Sequence, residues 1–201
     1  MNTPDEDARD EWYSGMVDEI SEQAIDEFTF DRLRSYYVNN RDLAKNAVLT
    51  FREARDILAS SPSSALVLFT TAIELGLKLT LLKPVIYGLV HNDSVADLIS
   101  DLAVKHNGFD RFKPLLARIL KEYGGIDFNS FKIEGHTKTI WEEINALQGS
   151  RNAVVHRGEL ASNDVATLGK NVATMIMGTF LPCVLAGLGL KLIEGGVIEN
   201  A

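Results

Sequence analysis

Apolar residues along the chain follow a helical spacing almost throughout. They recur every three or four positions from Phe28 to about Ser60, which predicts a long amphipathic helix. The segment 64–84, SALVLFTTAIELGLKLTLLKP, is apolar on nearly every side and predicts a helix at the centre of a bundle. We expect Pro62 to lie in the first turn of this helix and Pro84 to end it.

Four further segments follow the same pattern. Residues 91–108 and 109–125 each predict a short helix, and two glycines end the second. Residues 137–156 predict another helix, and Asn163 and Asp164 are expected to cap the last one. No run of alternating apolar and polar residues predicts a strand. The chain is therefore expected to be all-α, a helical bundle.

The last predicted helix contains a run that is long enough to span a membrane. Between Lys170 and Lys191 lie twenty uncharged residues, NVATMIMGTFLPCVLAGLGL. Pro182, Asn171 and several glycines and threonines favour a buried bundle helix, or one side of a dimer interface, over a membrane span. Because this run is the only one of its kind, we expect no membrane partner and keep membrane association as the alternative.

Charge divides the chain into two parts. Residues 1–27 hold ten acidic residues and one basic residue, a net charge of -9. Residues 28–201 hold 18 acidic and 19 basic residues, a net charge of +1. We therefore distinguish an acidic N-terminal extension, which is either a solvated segment or a polyanion that covers a basic site or docks a partner. The helical domain is nearly neutral, so any contact with nucleic acid must be local.

Composition and cysteine content indicate a soluble domain. Hydrophobic residues make up 46% of the chain and charged residues 24%. Cys183 is the only cysteine, which excludes an intramolecular disulfide and a cysteine metal cluster. The first residues, MNTPDEDARDEW, lack the apolar segment of a secretory signal. We expect a cytoplasmic protein.

One short stretch, GSRNAVVHRGE at 149–159, carries residues suited to chemistry. Arg151, Asn152 and His156 form R-N-x-x-x-H at the end of a predicted helix that Gly158 is expected to end, with Asn152 and His156 one helical turn apart. Histidine transfers protons near neutral pH and arginine binds phosphate oxygens, so the set suits phosphodiester cleavage without a metal. The alternative is structural, because cations in the last turn of a helix interact favourably with its dipole.

Two other charged residues are supporting candidates. Glu74 is the only acidic residue between Ala65 and Lys83, and we expect it to pair either with Lys78, four positions on, or with Arg151 across the bundle. Arg157 is either a second phosphate contact or an ordinary exposed arginine.

Signals for other kinds of site are missing from the sequence. His91, His106 and His136 are scattered without metal-ligand spacing. The chain has neither a phosphate-binding glycine loop nor a nucleophile elbow. We therefore expect neither a metal nor another cofactor.

The motif and its helical context resemble the HEPN domain family. SRNAVVHRGE is similar to that family's R-x4-6-H signature, and ALVLFTTAIELGLKLTLL is similar to its central helix with an embedded glutamate. The likeness spans residues 28–195. It implies a HEPN-type bundle of up-and-down core helices with an extra short helical insertion, and a homodimer in which the two motifs face each other.

The resemblance also implies a function: a metal-independent endoribonuclease, often a toxin or an antiviral defence effector. His156 would transfer protons, Arg151 would stabilise charge, and Asn152 would orient the reacting groups in one composite site on RNA. The product expected after 2′-hydroxyl attack is a 2′,3′-cyclic phosphate. Some family toxins carry a modifiable tyrosine two positions after the histidine, where this chain has Gly158. The alternative is a non-catalytic module for dimerisation or for binding an antitoxin or regulatory partner.

Overall fold

The computed structural model describes residues 29–89, Ser94 and 113–201, and these are mostly helical, which confirms the all-α class. The acidic extension and, apart from Ser94, the helix predicted at 91–108 lie outside the described residues. The helices are α1, whose described part covers residues 29–39, α2 (Lys45–Ile57), α3 (Pro62–Leu75), α4 (Lys83–Leu89), α5 (Lys113–Glu122), α6 (Ile140–Arg157), α7 (Asn163–Met175) and α8 (Leu181–Gly187).

Helix α3 lies at the centre of the described bundle and packs against α2, α6 and α7. Two contacts join α3 to α7 in the same chain order. Ala161 N, just before α7, donates to Ser63 Oγ near the start of α3 at 2.9 Å, and further along both helices Gly169 packs on Phe69. These two helices therefore run in the same direction. Phe69 and most of its neighbours on α3 are buried, which confirms that this apolar segment forms the core of the fold.

The prediction that Pro84 ends its helix is wrong. A π-helical segment, Gly76–Leu82, connects α3 to α4 without a break, and a second, Ile176–Phe180, connects α7 to α8. Each segment is followed two residues later by a proline, Pro84 in the first helix and Pro182 in the second. Proline normally breaks a helix because it offers no N–H to the carbonyl four residues earlier. The wider π turns let both helices continue.

A hydrogen bond from another helix serves the carbonyl that faces Pro84. Thr80 O lies four residues before this proline, and the Tyr37 hydroxyl of α1 donates to it at 2.7 Å. Tyr37 is fully buried. The tertiary fold thus supplies a side-chain donor to a backbone carbonyl in the turn that precedes the proline.

The first predicted helix, residues 28–60, is in fact two helices. Residues 40–44 form a turn between α1 and α2, in which Asn40 N donates to Tyr36 O. The backbone carbonyl of Arg41 accepts from Ile198 N at 2.9 Å. Asparagine and aspartate side chains compete with helical hydrogen bonding, and the contact with the C-terminal residues fixes the bend.

A small β-hairpin at the C-terminal end corrects the prediction that the chain has no strand. β1 (Leu190–Ile193) pairs antiparallel with β2 (Val197–Asn200). Gly195 and Gly196 form the turn with positive φ angles of 85° and 84°. The last helix therefore ends at Gly187, before the end of the uncharged run. Strands of four residues are too short to show a clear alternation of apolar and polar positions.

Two helices are long and apolar enough to cross a membrane by length and composition, Pro62–Gly88 and Asn163–Gly187. Sequence analysis had singled out only the second. Within the fold, 67% and 50% of their most apolar windows are buried. Packing inside the bundle accounts for the apolar character of both helices.

Candidate functional site

The helix that carries the motif, α6, has well-defined ends. At its start, Glu142 N donates to Thr139 Oγ1 and Thr139 N donates to Glu142 Oε2, which forms a capping box. At its end, Gly158 adopts a left-handed conformation with φ of 67°, and its N–H donates to Ala153 O. The prediction that Gly158 ends this helix is confirmed. These ends hold the motif in the last two turns of a rigid element.

The three motif residues differ in exposure. Asn152 and His156 are exposed, whereas Arg151 is half-buried. Arg151 Nη1 donates to Asn152 Oδ1 at 3.1 Å, so the amide orients the guanidinium group rather than the imidazole. Within the described part of the chain, no hydrogen bond or ion pair engages His156. The imidazole is therefore available to a ligand.

Helical geometry separates Arg151 from His156. Residues four positions apart, such as Asn152 and His156, lie on one face of a helix. Residues five positions apart point in directions that differ by about 140° at 100° per residue. Arg151 thus leaves the helix towards a different side from His156, and only its long side chain can bring the two groups towards one ligand.

Arg157 lies beside a groove rather than beside the imidazole. Its Nε donates to Glu159 Oε1 at 2.5 Å, and both side chains are more than half exposed. The groove, of about 470 Å³, runs between the end of α6 and the start of α7, and Arg151, Asn152 and His156 are not among its described walls. Its walls include Ala146, Ser150, Ala153, Arg157, Leu160 and Val165.

The contact expected between Glu74 and Arg151 does not form. Glu74 is half-buried on α3, and in the described part of the chain Arg151 bonds to Asn152 instead. Pairing of Glu74 with Lys78 stays a prediction. Helical rise places Glu74 about 18 Å from the start of α3, and that start lies close to the end of α6. A supporting role for Glu74 stays a prediction.

His136 and Glu143 form a pair that the sequence pattern does not predict. His136 Nδ1 lies 3.2 Å from Glu143 Oε1, and the Glu143 side chain is only 8% exposed. The available signal was position: Glu143 falls among Ile140, Ile144 and Leu147 on the apolar face of α6. A buried carboxylate needs a partner, and the residues just before the helix supply it.

No group of three or more histidine, cysteine or acidic side chains that could hold a metal ion occurs among residues 29–89 and 113–201. Trp141 is 5% exposed and packs edge-to-face on Phe128, so it belongs to the core. Lys113 lies over the same indole ring, 5.5 Å from its centroid.

Comparison of the chain with models of known protein families, with curated proteins and with solved structures finds no match.

Proposed function

We propose that the chain is a metal-independent endoribonuclease of the HEPN type, acting on RNA as a homodimer through Arg151, Asn152 and His156. One observation carries the proposal. The last two turns of α6 present an exposed, unengaged imidazole and, about 140° around the helix from it, an arginine that an asparagine orients. A helix end with a purely structural role needs no fixed set of a cation, an amide and an imidazole.

The proposed reaction uses proton transfer and charge stabilisation. His156 accepts the proton of a ribose 2′-hydroxyl, whose oxygen attacks the adjacent phosphorus. The bond from phosphorus to the 5′-oxygen breaks, and that oxygen takes a proton from a second imidazole, His156 of the other copy. Arg151 stabilises the negative charge that develops on the phosphoryl oxygens. The products are a 2′,3′-cyclic phosphate and a 5′-hydroxyl.

The homodimer follows from this division of roles. One copy supplies a single motif imidazole, whereas acid and base are required in the same step. The surface beside the motif also carries exposed apolar side chains: Val155 is 46% exposed and Leu160 is 90% exposed. Two large apolar side chains exposed this close to the motif in sequence are consistent with contact with another protein surface. A cytoplasmic toxin or antiviral effector, with an antitoxin or other regulatory partner, is the setting that the family resemblance suggests.

The test is cleavage of total RNA and tRNA by the purified protein with EDTA present. We expect the wild type to cut and His156→Ala and Arg151→Ala to lose cutting, while circular dichroism and oligomeric state stay unchanged. Arg55→Ala is the matched control, because Arg55 is an exposed arginine on α2. Equal cutting by the wild type and His156→Ala would refute the assignment.

A non-catalytic dimerisation or partner-binding module is the second candidate. The net charge of +1 over residues 28–201 favours it, because a ribonuclease usually attracts RNA with a basic surface. Exposed Leu160 at the rim of the groove favours it as well. A stable dimer that cuts no RNA, and that Leu160→Asp dissociates, would support this second function.

A further inference from the structure

A second group of basic side chains lies at the opposite end of α6 from the motif. Lys132 and Lys138 are exposed in the loop that precedes the helix. Lys138 directly precedes Thr139, the N-cap of α6, and Ile140 N in the first turn donates to Phe131 O at 2.8 Å, which places Lys132 beside the start of the helix. The pKa of the Glu142 carboxyl is lowered first by the hydrogen bonds from Thr139 and further by the positive charges of these two lysines. Each end of the motif helix is thus flanked by cations.

His136, between the two lysines in sequence, is held in a fixed orientation. Its Nδ1 faces the buried carboxylate of Glu143 at 3.2 Å, and the ring is 26% exposed. A carboxylate that engages one ring nitrogen fixes the direction of the other, Nε2. The loop that carries Lys132 and Lys138 is therefore anchored to α6.

A continuous polar stripe on α6 connects the two groups. Its residues are spaced by three or four positions, lie on one side of the helix and are all exposed: Glu142, Asn145, Gly149, Asn152 and His156. From Glu142 to His156 the stripe is about 21 Å long at 1.5 Å per residue. Among the described residues, nothing apart from the chain neighbours of Gly149 and the nearby backbone of α6 itself lies within 4 Å of where its Cβ would stand, so the middle of the stripe is open.

We propose that single-stranded RNA lies along this stripe, with backbone phosphates at Lys132 and Lys138 and the scissile phosphate at His156. The choice of RNA as ligand rests on the proposed ribonuclease function. Lysine ammonium groups bind phosphates as point charges, and the amides of Asn145 and Asn152 both donate and accept hydrogen bonds to sugars and bases.

Charge supports a local track of this kind. Since residues 28–201 carry a net charge of only +1, RNA cannot be held by a broad basic surface. Glu142, the one acid in the stripe, has its Oε2 engaged by Thr139 N and Oγ1. The neighbouring lysines offset its charge, so the repulsion of a phosphate at this end of the stripe is reduced.

The test measures binding of a fluorescent single-stranded RNA of about 12 nucleotides. All proteins carry His156→Ala, which keeps the RNA intact. The test variant adds Lys132→Ala and Lys138→Ala. The matched control adds Lys45→Ala and Lys191→Ala, two exposed lysines on α2 and β1. Helix α2 packs mainly on α3, and β1 packs mainly on β2 and then on α8. Anisotropy is recorded between about 50 and 200 mM salt.

We expect the salt dependence of binding to weaken in the test variant. The magnitude of the negative slope of log association constant against log salt should decrease by about 1.4, at about 0.7 for each lost phosphate contact with a single strand. The control should keep the parent slope. Equal slopes in test and control, or no binding by the parent protein, would overturn the proposed track. Cleavage by the protein with His156 intact decides the ribonuclease function separately. Loss of slope without any cleavage would retain the track and refute the enzyme.

Discussion

Replacement of Tyr37 by phenylalanine tests whether the Tyr37 hydroxyl helps the helix that begins with α3 to continue through Pro84. The Tyr37 hydroxyl donates to Thr80 O at 2.7 Å, and Pro84, four residues on, has no N–H to offer this carbonyl. Tyr37 and Thr80 are both fully buried, so water cannot replace the lost donor. A buried polar group left without its partner costs about 1–3 kcal/mol. We expect Tyr37→Phe to lower the free energy of unfolding by that amount.

A double-mutant cycle separates this explanation from a general packing defect. Pro84→Ala restores a backbone N–H four residues after Thr80, so Tyr37→Phe should cost less in that background, with a coupling of about 0.5 kcal/mol or more. Urea unfolding followed by circular dichroism gives the four free energies. If Tyr37→Phe costs the same with and without Pro84, the idea that the Tyr37 hydroxyl substitutes for the N–H missing at Pro84 is refuted.

Further predictions concern pH, glycines and the buried carboxylate. Burial raises the pKa of Tyr37, so wild-type stability should fall above about pH 10, where the unfolded chain ionises, and fall less in Tyr37→Phe. Gly187→Ala should lower the free energy of unfolding by about 1–3 kcal/mol, because the new Cβ would stand 2.0 Å from Tyr123 O, and a lower melting temperature would show it. Gly149→Ala, in open space on α6, should instead stabilise by about 0.5–1 kcal/mol. Glu143→Ala should cost about 1–3 kcal/mol in urea unfolding. A stabilising Gly187→Ala or a neutral Glu143→Ala would contradict the packing described.

The sequence predicts the helices well where their signals are local. Pro62 in the first turn of α3 and Gly158 at the end of α6 both lie where expected, because each residue acts through its own backbone angles. The cap of α7 is Ser162 rather than Asn163, one position earlier than predicted. All three signals depend only on residues within one turn.

Features that depend on tertiary contacts escape the sequence. The Tyr37 hydroxyl that donates to Thr80 O, just before Pro84, lies 43 positions from Thr80 along the chain, and no residue near the proline indicates that partner. The bend at Arg41 depends in part on a backbone contact with Ile198. For the site, spacing gives the shared face of Asn152 and His156 but not the pairing of Asn152 with Arg151. The His136–Glu143 pair required knowing that the loop folds back over α6.

The Arg151 and His156 side chains leave α6 in different directions. This difference helps to decide between a site within one copy of the chain and a site formed by two copies. A phosphate at the exposed His156 imidazole lies on a side of α6 that differs by about 140° from the direction of Arg151. Within one copy, Arg151 would have to leave Asn152 and cross the helix end to reach it. In the proposed symmetric pair with facing motifs, the arginine of one copy would approach the histidine of the other and keep its amide partner. The observed Arg151–Asn152 hydrogen bond is therefore better suited to a composite site than to a site within a single copy.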